Sequence, residues 1–297
     1  MTEFKTFPAK ILLFGEHIIN KGANGLALPF HKCNCTLSFN KDETTLKESK
    51  EVLELIANQI EKDEVIENLF DVVNLHQDIS NGLNINMNIP VGYGLGSSGA
   101  ICAGIYETYC HSKKENPKKV KNILGRVESA FHGKSSGLDP LVSFLDKAVL
   151  VSSEKTEIID FSLENITDFK MFLVDTNQAR KTAPLVDKFL TKYNTKQSFA
   201  DKINLELKPL TNEIIDDFIS LKTKDTYKKI EKLSRLQLEN FDGLILEEHK
   251  STWKKGLNNE DFFLKICGAG GGGFMLGFCK DETKIIEAFS EEEILFL

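Results

Sequence analysis

The stretch PVGYGLGSSGA, residues 90–100, carries four glycines and two serines between a segment with strand character and one with helix character. Glycine lets the backbone approach a ligand closely. A helix that begins near Ser98 directs free N–H groups and the positive end of its dipole toward an anion. These residue types in this order predict a loop that binds phosphate groups.

The same loop contains G-x-G-x-x-G, formed by Gly94, Gly96 and Gly99, which is the dinucleotide-binding fingerprint. The preceding LNINMNI alternates apolar residues with asparagines, whereas a central parallel strand reads as a continuous apolar run. The fingerprint also needs a second strand that ends in an acidic residue, and a lysine-rich segment stands there instead. We therefore reject dinucleotide binding, and the absence of a lysine also rejects a Walker A loop.

Two adjacent hydroxyls in this loop, Ser97 and Ser98, leave two interpretations open. They could cap the helix and also offer oxygen to Mg²⁺, which prefers oxygen ligands. Alternatively, the segment is a plain glycine turn with a serine N-cap.

Two carboxylates in VESAFHGKSSGLDPLVSF, residues 127–144, form a second candidate cluster. Helical spacing places Glu128 near a helix end, and a glycine- and serine-rich turn then leads to Asp139. Such carboxylates can converge, so that one holds a metal ion and the other faces a hydroxyl, as in phosphoryl transfer. The alternative is structural: Glu128 is solvated, and Asp139 caps a helix that begins at Pro140.

A third candidate cluster lies in PAKILLFGEH, residues 8–17. Lys10 begins an apolar strand, and Glu16 and His17 follow at the exit of that strand. A lysine at a strand edge is usually a solvated gatekeeper, and a single histidine is usually structural. Taken alone, this cluster leaves the catalytic and the structural interpretation open.

The elements that must position these residues are strands and helices in alternation. We predict strands over 9–14, 33–39, 82–89 and 170–176, and a hairpin formed by KAVLVSS and TEIIDF. Helical spacing covers 48–74, 100–110, 118–131, 182–193, 211–221 and 225–240. Two further apolar runs, FFLKIC and FMLGFC, flank GAGGGG. The pattern predicts an α+β protein of two domains, with the boundary in the polar stretch 162–168.

Composition limits the classes of function. The chain has 297 residues, 41% of them hydrophobic and 27% charged, and a net charge of −7. This charge argues against nucleic-acid binding, which needs a basic face. The six cysteines form no C-x-x-C pair and are expected to be free thiols. The N-terminal apolar run is too short for a signal peptide, and no stretch could span a membrane, so we expect a cytoplasmic enzyme.

Three motifs together resemble the GHMP kinase superfamily: AKILLFGEH, then PVGYGLGSSGA, then KICGAGGGGFML. The resemblance runs from about residue 8 to residue 278. It implies a two-domain fold, with an ATP-binding domain like ribosomal protein S5 over 1–165 and a ferredoxin-like domain over 166–297. It also implies the cofactors ATP and Mg²⁺, and the homodimer that is common in the superfamily.

Within the superfamily, the chain is most similar to the mevalonate kinases. HGKSSGLD resembles the stretch that carries their catalytic aspartate, here Asp139, and the glutamate eleven residues earlier, Glu128, matches their Mg²⁺ ligand. DTNQARKTAPLV resembles a segment that contributes an active-site threonine, here Thr182. The catalytic aspartate argues against the homoserine kinases, which lack it.

The resemblance implies transfer of phosphate from ATP to the primary hydroxyl of mevalonate. Asp139 would accept the proton, Lys10 would stabilise negative charge, and Ser98 would join Glu128 in holding Mg²⁺. The expected phosphate-binding residues are Gly92, Gly94, Leu95, Gly96, Ser97, Ser98 and Gly99. The expected substrate contacts are Glu16, His17, Arg180, Thr182 and Gly270. Alternatives are another GHMP kinase, such as a phosphomevalonate kinase, and a nucleotide-binding protein without catalysis.

Two departures from the superfamily pattern lie beside these residues. The phosphate loop ends Ser-Gly-Ala where Ser-Ala-Ala is usual, so that Gly99 is expected to loosen the helix start slightly. Pro140 follows Asp139 where asparagine is usual. A third departure, KGANGLALPF, lies on the expected substrate side.

Overall fold

The computed structural model describes residues 4–39, 43–113 and 116–297. Within them, the strands form two antiparallel sheets, one built from residues 6–159 and the other from residues 170–296. The predicted α+β class is confirmed. The division into domains 1–165 and 166–297 stays a prediction, and the two sheets lie on either side of it.

The first sheet is organised around one long strand. Its members are β1 (Thr6–Phe14), β2 (Gly25–Phe39), β3 (Leu83–Met87), β4 (Ala148–Val151) and β5 (Thr156–Ile159). β2 pairs with β1 on one edge and with both β3 and β4 on the other, and β5 pairs with β4, all antiparallel. The glycine loop therefore does not follow a central parallel strand, in agreement with our rejection of dinucleotide binding.

Within the described residues, five α-helices accompany the first sheet. They are α1 (Glu43–Lys62), α2 (Val72–Ser80), α3 (Ser97–Tyr109), α4 (Pro117–His132) and α5 (Leu138–Leu145). The prediction of one helix over 48–74 is wrong, because α1 and α2 are separated by a turn. Phe70 is extended and buried there, and Asp71 then caps α2 by accepting a hydrogen bond from the Asn74 N–H at 3.1 Å.

The second sheet has the order β7-β8-β6-β9, with every pair antiparallel. Its strands are β6 (Lys170–Asp175), β7 (Phe262–Ile266), β8 (Phe274–Cys279) and β9 (Ile294–Phe296). The helices of this part are α6 (Thr182–Thr195), α7 (Gln197–Lys202), α8 (Lys208–Ile219), α9 (Thr226–Asn240), α10 (Glu247–Asn259) and α11 (Glu282–Ala288). A π-helical turn, Ile203–Leu207, joins α7 to α8.

Aromatic side chains join the two sheets. The ring of Phe14, at the end of β1, stacks on Phe278 of β8 with centroids 6.0 Å apart, and it meets Phe218 of α8 edge-on at 5.0 Å. All three side chains are buried. None of the helices in the described residues has the length and apolar character that a membrane crossing requires.

Candidate active site

An ion pair between a buried lysine and a partly exposed aspartate lies between β1 and α5. The Lys10 Nζ is 3.0 Å from the Asp139 Oδ1, and the lysine side chain is only 5% exposed, whereas that of Asp139 is 34% exposed. α5 begins at Leu138, and its cap residue Gly137 forms no side-chain cap bond. The solvated-gatekeeper interpretation of Lys10 and the helix-cap interpretation of Asp139 are therefore wrong. The carboxylate is left accessible, with a cation fixed beside it.

The glycine loop lies against this pair. The Lys10 N–H donates to the Leu95 carbonyl at 2.9 Å, which ties the loop to β1. A Cβ atom at Gly96 would lie 3.0 Å from the Lys10 side chain, and one at Gly99 would lie 2.8 Å from the backbone of Asp139 and Pro140. Glycine at these two positions therefore lets the loop and the start of α3 touch the ion pair.

A second polar pair lies deeper, between α3 and α4. The Ser98 Oγ donates to the Glu128 Oε1 at 2.9 Å, and the Ser135 hydroxyl donates to the other carboxylate oxygen. Gly96 is the cap residue of α3 and no side chain caps this helix, so the serine N-cap interpretation is wrong. Ser135 lies within the glycine- and serine-rich turn that leads to Asp139, and residue type alone does not distinguish it from Ser136.

The environment of Glu128 disfavours a negative charge. Burial raises the pKa of Glu128 to about 7, and the nearby Asp139 carboxylate adds to the rise. Hydrogen bonds from Ser135 and Ser98, and the charge of Lys10, act in the opposite direction. A divalent cation at this point would reverse the balance by favouring the ionised carboxylate.

The donor set at Glu128 fits Mg²⁺. A carboxylate and a hydroxyl oxygen are ligands of the kind that this ion takes, and it usually completes its shell with water and substrate phosphates. Among the described residues, no three His, Cys, Asp or Glu side chains are grouped to hold a metal ion. The protein side of the site is therefore suited to an ion that arrives with a phosphate ligand.

Arg180 connects the glycine loop to the loop 267–273, which lies between β7 and β8. The Arg180 Nη2 donates to the Cys267 carbonyl and the Nε donates to the Gly272 carbonyl, both at 3.2 Å. The backbone N–H of Arg180 donates to the Gly92 carbonyl at 3.1 Å. Its Nη1 also donates to the hydroxyl of Thr182, an exposed residue at the start of α6, at 3.3 Å. One arginine thus holds both loops together.

The two glycine-rich loops are close enough to exclude side chains. A Cβ atom at Gly94 would lie 2.4 Å from the Arg180 Nη2, and one at Gly268 would lie 2.6 Å from the same atom. A Cβ atom at Gly273 would meet the Tyr93 carbonyl oxygen at 2.6 Å. The glycines therefore make room for the guanidinium and for direct contact between the loops.

Glu16 and His17 have protein partners. Glu16 is buried and accepts a hydrogen bond from the Lys265 ammonium group. The His17 Nε2 donates to the Ala269 carbonyl at 3.0 Å, and its ring stacks on Phe189 with centroids 4.7 Å apart. Burial lowers the pKa of His17 to about 4, so the ring is neutral at pH 7.

Gly270 faces the protein rather than an opening. A Cβ atom there would lie 2.2 Å from the Leu244 carbonyl oxygen, and the Gly271 N–H donates to that same oxygen at 2.7 Å. The structure thus gathers one group of predicted residues around the glycine loop, namely Lys10, Ser98, Glu128, Asp139 and Arg180. It places Glu16, His17 and Gly270 in contacts within the protein.

A family model matches the segment that contains the glycine loop. Residues 62–147 match the model described as the GHMP kinases N terminal domain. The matched segment includes the glycine loop, Glu128 and Asp139.

Curated relatives match nearly the whole chain. A mevalonate kinase from Dictyostelium discoideum is 24% identical over 344 residues, covering 94% of this chain and 87% of that protein. Further relatives at 22% to 26% identity carry the same name.

Solved structures share the fold. The mevalonate kinase of Methanococcus jannaschii aligns with a TM-score of 0.67 at 18% identity, covering 100% of this chain and 98% of that one. The phosphomevalonate kinase of Streptococcus pneumoniae aligns over 100% of both chains with a TM-score of 0.65 at 13% identity. The fold is therefore the one that these two kinases share. Residues 62–147 match the GHMP kinase model and the relatives above are at most 26% identical, so the chain is similar to the GHMP kinases over nearly its whole length.

Proposed function

We propose that this protein transfers the terminal phosphoryl group of ATP to the primary hydroxyl of mevalonate. The observation that carries the proposal is the ion pair between Lys10 and Asp139, with 3.0 Å between charged atoms, placed directly against a glycine-rich loop. The choice of acceptor is supported by the relatives, which are named mevalonate kinase along nearly the whole length of the chain.

The glycine loop is the proposed phosphate site. Gly92, Gly94 and Gly96 all have positive φ angles, which turn the loop tightly before α3 begins at Ser97. The free N–H groups of the first turn of α3 then point toward the loop, and the helix dipole favours an anion there. The residues that would surround the phosphates are Gly92, Gly94, Leu95, Gly96, Ser97, Ser98 and Gly99.

Ser98 and Glu128 are the residues that would hold Mg²⁺. When bound, this ion neutralises part of the phosphate charge and orients the transferred group. The hydrogen bond between the two side chains holds their oxygens on one side of the loop, and Ser135 fixes the second carboxylate oxygen of Glu128.

Asp139 is the proposed proton acceptor. Its partly exposed carboxylate would bind the acceptor hydroxyl and take its proton as the phosphoryl group moves. A loose transition state asks little of a base, so positioning by Asp139 matters as much as basicity. Lys10 would stabilise the negative charge that develops between the hydroxyl and the phosphoryl group.

The acceptor side of the site is proposed to include Arg180 and Thr182. The Arg180 guanidinium could pair with the mevalonate carboxylate, and the exposed Thr182 hydroxyl lies within hydrogen-bond distance of that guanidinium. Gly270, Glu16 and His17 would shape this side of the site through their contacts with neighbouring protein groups.

The acceptor can be tested by measuring ADP release from Mg-ATP with a panel of compounds. The panel contains mevalonate, phosphomevalonate, diphosphomevalonate, galactose and homoserine. We expect turnover with mevalonate at a kcat/KM at least about 100-fold above the others, because a built polar site rejects acceptors that leave its groups unpaired. Preference for phosphomevalonate would contradict the proposed acceptor and leave the kinase family intact.

A further inference from the structure

Lys265 is a charged residue in an otherwise apolar strand. It lies in β7, within FFLKI, and its side chain is only 1% exposed. Its Nζ donates to the Glu16 carboxylate and, at 2.8 Å, to the Ile266 carbonyl, and it lies 5.7 Å from the centre of the Phe14 ring. The pair therefore links the end of β1, in the first half of the chain, to β7 in the second half.

Such a pair is costly to bury. Removing both charges from water costs free energy that their attraction only partly recovers, so a buried ion pair is weak evidence for stability. Burial indeed raises the pKa of Glu16, and the charge of Lys265 opposes the rise. A role beyond stability is therefore the better explanation for this pair.

The residues next to Lys265 suggest that role. Where β7 leads into the loop 267–273, three carbonyls accept hydrogen bonds from side chains. Lys265 donates to the carbonyl of Ile266, Arg180 to that of Cys267, and His17 to that of Ala269. Glu16 and His17 are adjacent in the chain, so the turn after β1 holds the loop at two points. The same strand, β1, carries Lys10.

We infer that Lys265 is a positioning residue, which acts through Glu16 to hold the loop 267–273 at a fixed place relative to β1 and Lys10. The ammonium group binds a carboxylate from one half of the chain and the entry carbonyl of the loop from the other. Its loss would let the loop move away from the glycine loop at residues 92–99. The kinetic part of this inference rests on the proposed function.

The experiment separates charge compensation from positioning. Lys265→Met leaves the Glu16 charge buried without a partner, and this variant is expected to lose stability or fail to fold. The double variant Glu16→Met/Lys265→Met replaces both charges by apolar groups of similar volume and keeps the test possible. Lys229→Met is the matched control, because Lys229 forms a half-buried pair with Asp217 at 2.7 Å in the same part of the chain.

The measurements are the stability to urea, the kcat and KM for the acceptor, and the hydrogen exchange of the backbone amides of residues 267–273 without ligands. We expect the double variant to recover stability, to keep a kcat about 10- to 100-fold below that of the natural protein, and to exchange faster in this loop. Lys229→Met should leave kcat and the exchange of this loop unchanged.

Two outcomes would overturn the inference. Recovery of kcat together with stability would mean that Lys265 only compensates the charge of Glu16. Unchanged loop exchange with a higher acceptor KM would mean that Glu16 contacts the acceptor itself. If the natural protein phosphorylates none of the acceptors, the proposed function fails, and the exchange comparison still decides whether Lys265 positions the loop.

Discussion

At the scale of single residues, Gly99 shows how one missing methyl group shapes the site. The sequence suggested that glycine here loosens the start of α3. In the structure, a Cβ atom at this position would come within 2.8 Å of the backbone of Asp139 and Pro140. The absence of a side chain therefore lets the carboxylate of Asp139 reach Lys10, and the conformational freedom of glycine is secondary.

Replacing Gly99 by alanine should therefore harm catalysis. The added methyl group must push α5 away, and a shift of about 1 Å in Asp139 can lower kcat as much as about 100-fold. Gly104→Ala is the matched control on the same helix, because the nearest atoms to its Cβ would be side-chain atoms of Leu37 and Phe7, at 3.4 Å or more. There, alanine should raise the free energy of unfolding by about 0.5–1 kcal/mol with kcat unchanged. Equal kcat values for the two variants would refute this role of Gly99.

Glu128 predicts a specific pH dependence of stability. Its pKa is about 7 in the folded protein and 4.5 without perturbation, so between these values the folded protein holds a proton that the unfolded chain has released. The free energy of unfolding should fall as pH rises through this window, by at most about 1.4 kcal/mol per pH unit, and this contribution should level off above it.

The pH test compares the natural protein with Glu128→Gln. Urea denaturation without Mg²⁺, at pH values from below 4.5 to above 7, should give a slope in the natural protein that the variant lacks. Parallel curves for the two proteins would show that Glu128 titrates normally.

At the scale of elements, two glycine-rich loops form one unit through Arg180. The donors of lysine all lie on one nitrogen atom, so lysine cannot replace the planar guanidinium that reaches the carbonyls of both Cys267 and Gly272. Arg180→Lys should lower kcat/KM by about 10- to 100-fold while the fold is retained. Arg235→Lys, at an exposed pair with Glu231 on α9, is the control and should have no effect. The claim fails if both variants match the natural protein.

The hydrophobic periodicity of the sequence predicts most helices and strands. It does not predict the boundaries that are set by contacts with segments distant in the sequence. The helical pattern over 48–74 continues through a turn in the structure, because Phe70 packs as an extended residue that forms a β-bridge with Cys110. That partner is distant in sequence, so local spacing contains no sign of it. β2 begins at Gly25, eight residues before the predicted strand, since pairing with β1 extends it.

The sequence identifies some site residues together with their partners and others without them. Lys10 and Asp139 were singled out by motif order, and the structure brings them within 3.0 Å. The partner of Glu16 was missed, although a lone lysine within FFLKIC was a visible sign of a buried charge that needs a partner. Residue type shows that Lys265 needs a partner, whereas only the fold shows which one it has.

At the scale of the whole molecule, the fold and the acceptor are separate questions. This chain aligns over its full length both with a mevalonate kinase and with a phosphomevalonate kinase, with TM-scores of 0.67 and 0.65. The overall architecture therefore positions the glycine loop and the ion pair but does not distinguish the acceptors. In the proposed function, the choice of acceptor depends on the few side chains around Asp139, Arg180 and Thr182.

In the proposed function, Asp139 enables phosphoryl transfer at the glycine loop. The most direct test of this role is ³¹P NMR of the products formed from Mg-ATP and mevalonate by the natural protein, by Asp139→Asn and by Asp146→Asn. Asp146, which ends the same helix and pairs with His31 at the surface, serves as the control. The natural protein and the control should form 5-phosphomevalonate, and Asp139→Asn should bind ATP with a rate of product formation at least about 100-fold lower. Product formation by Asp139→Asn at the natural rate would contradict the account.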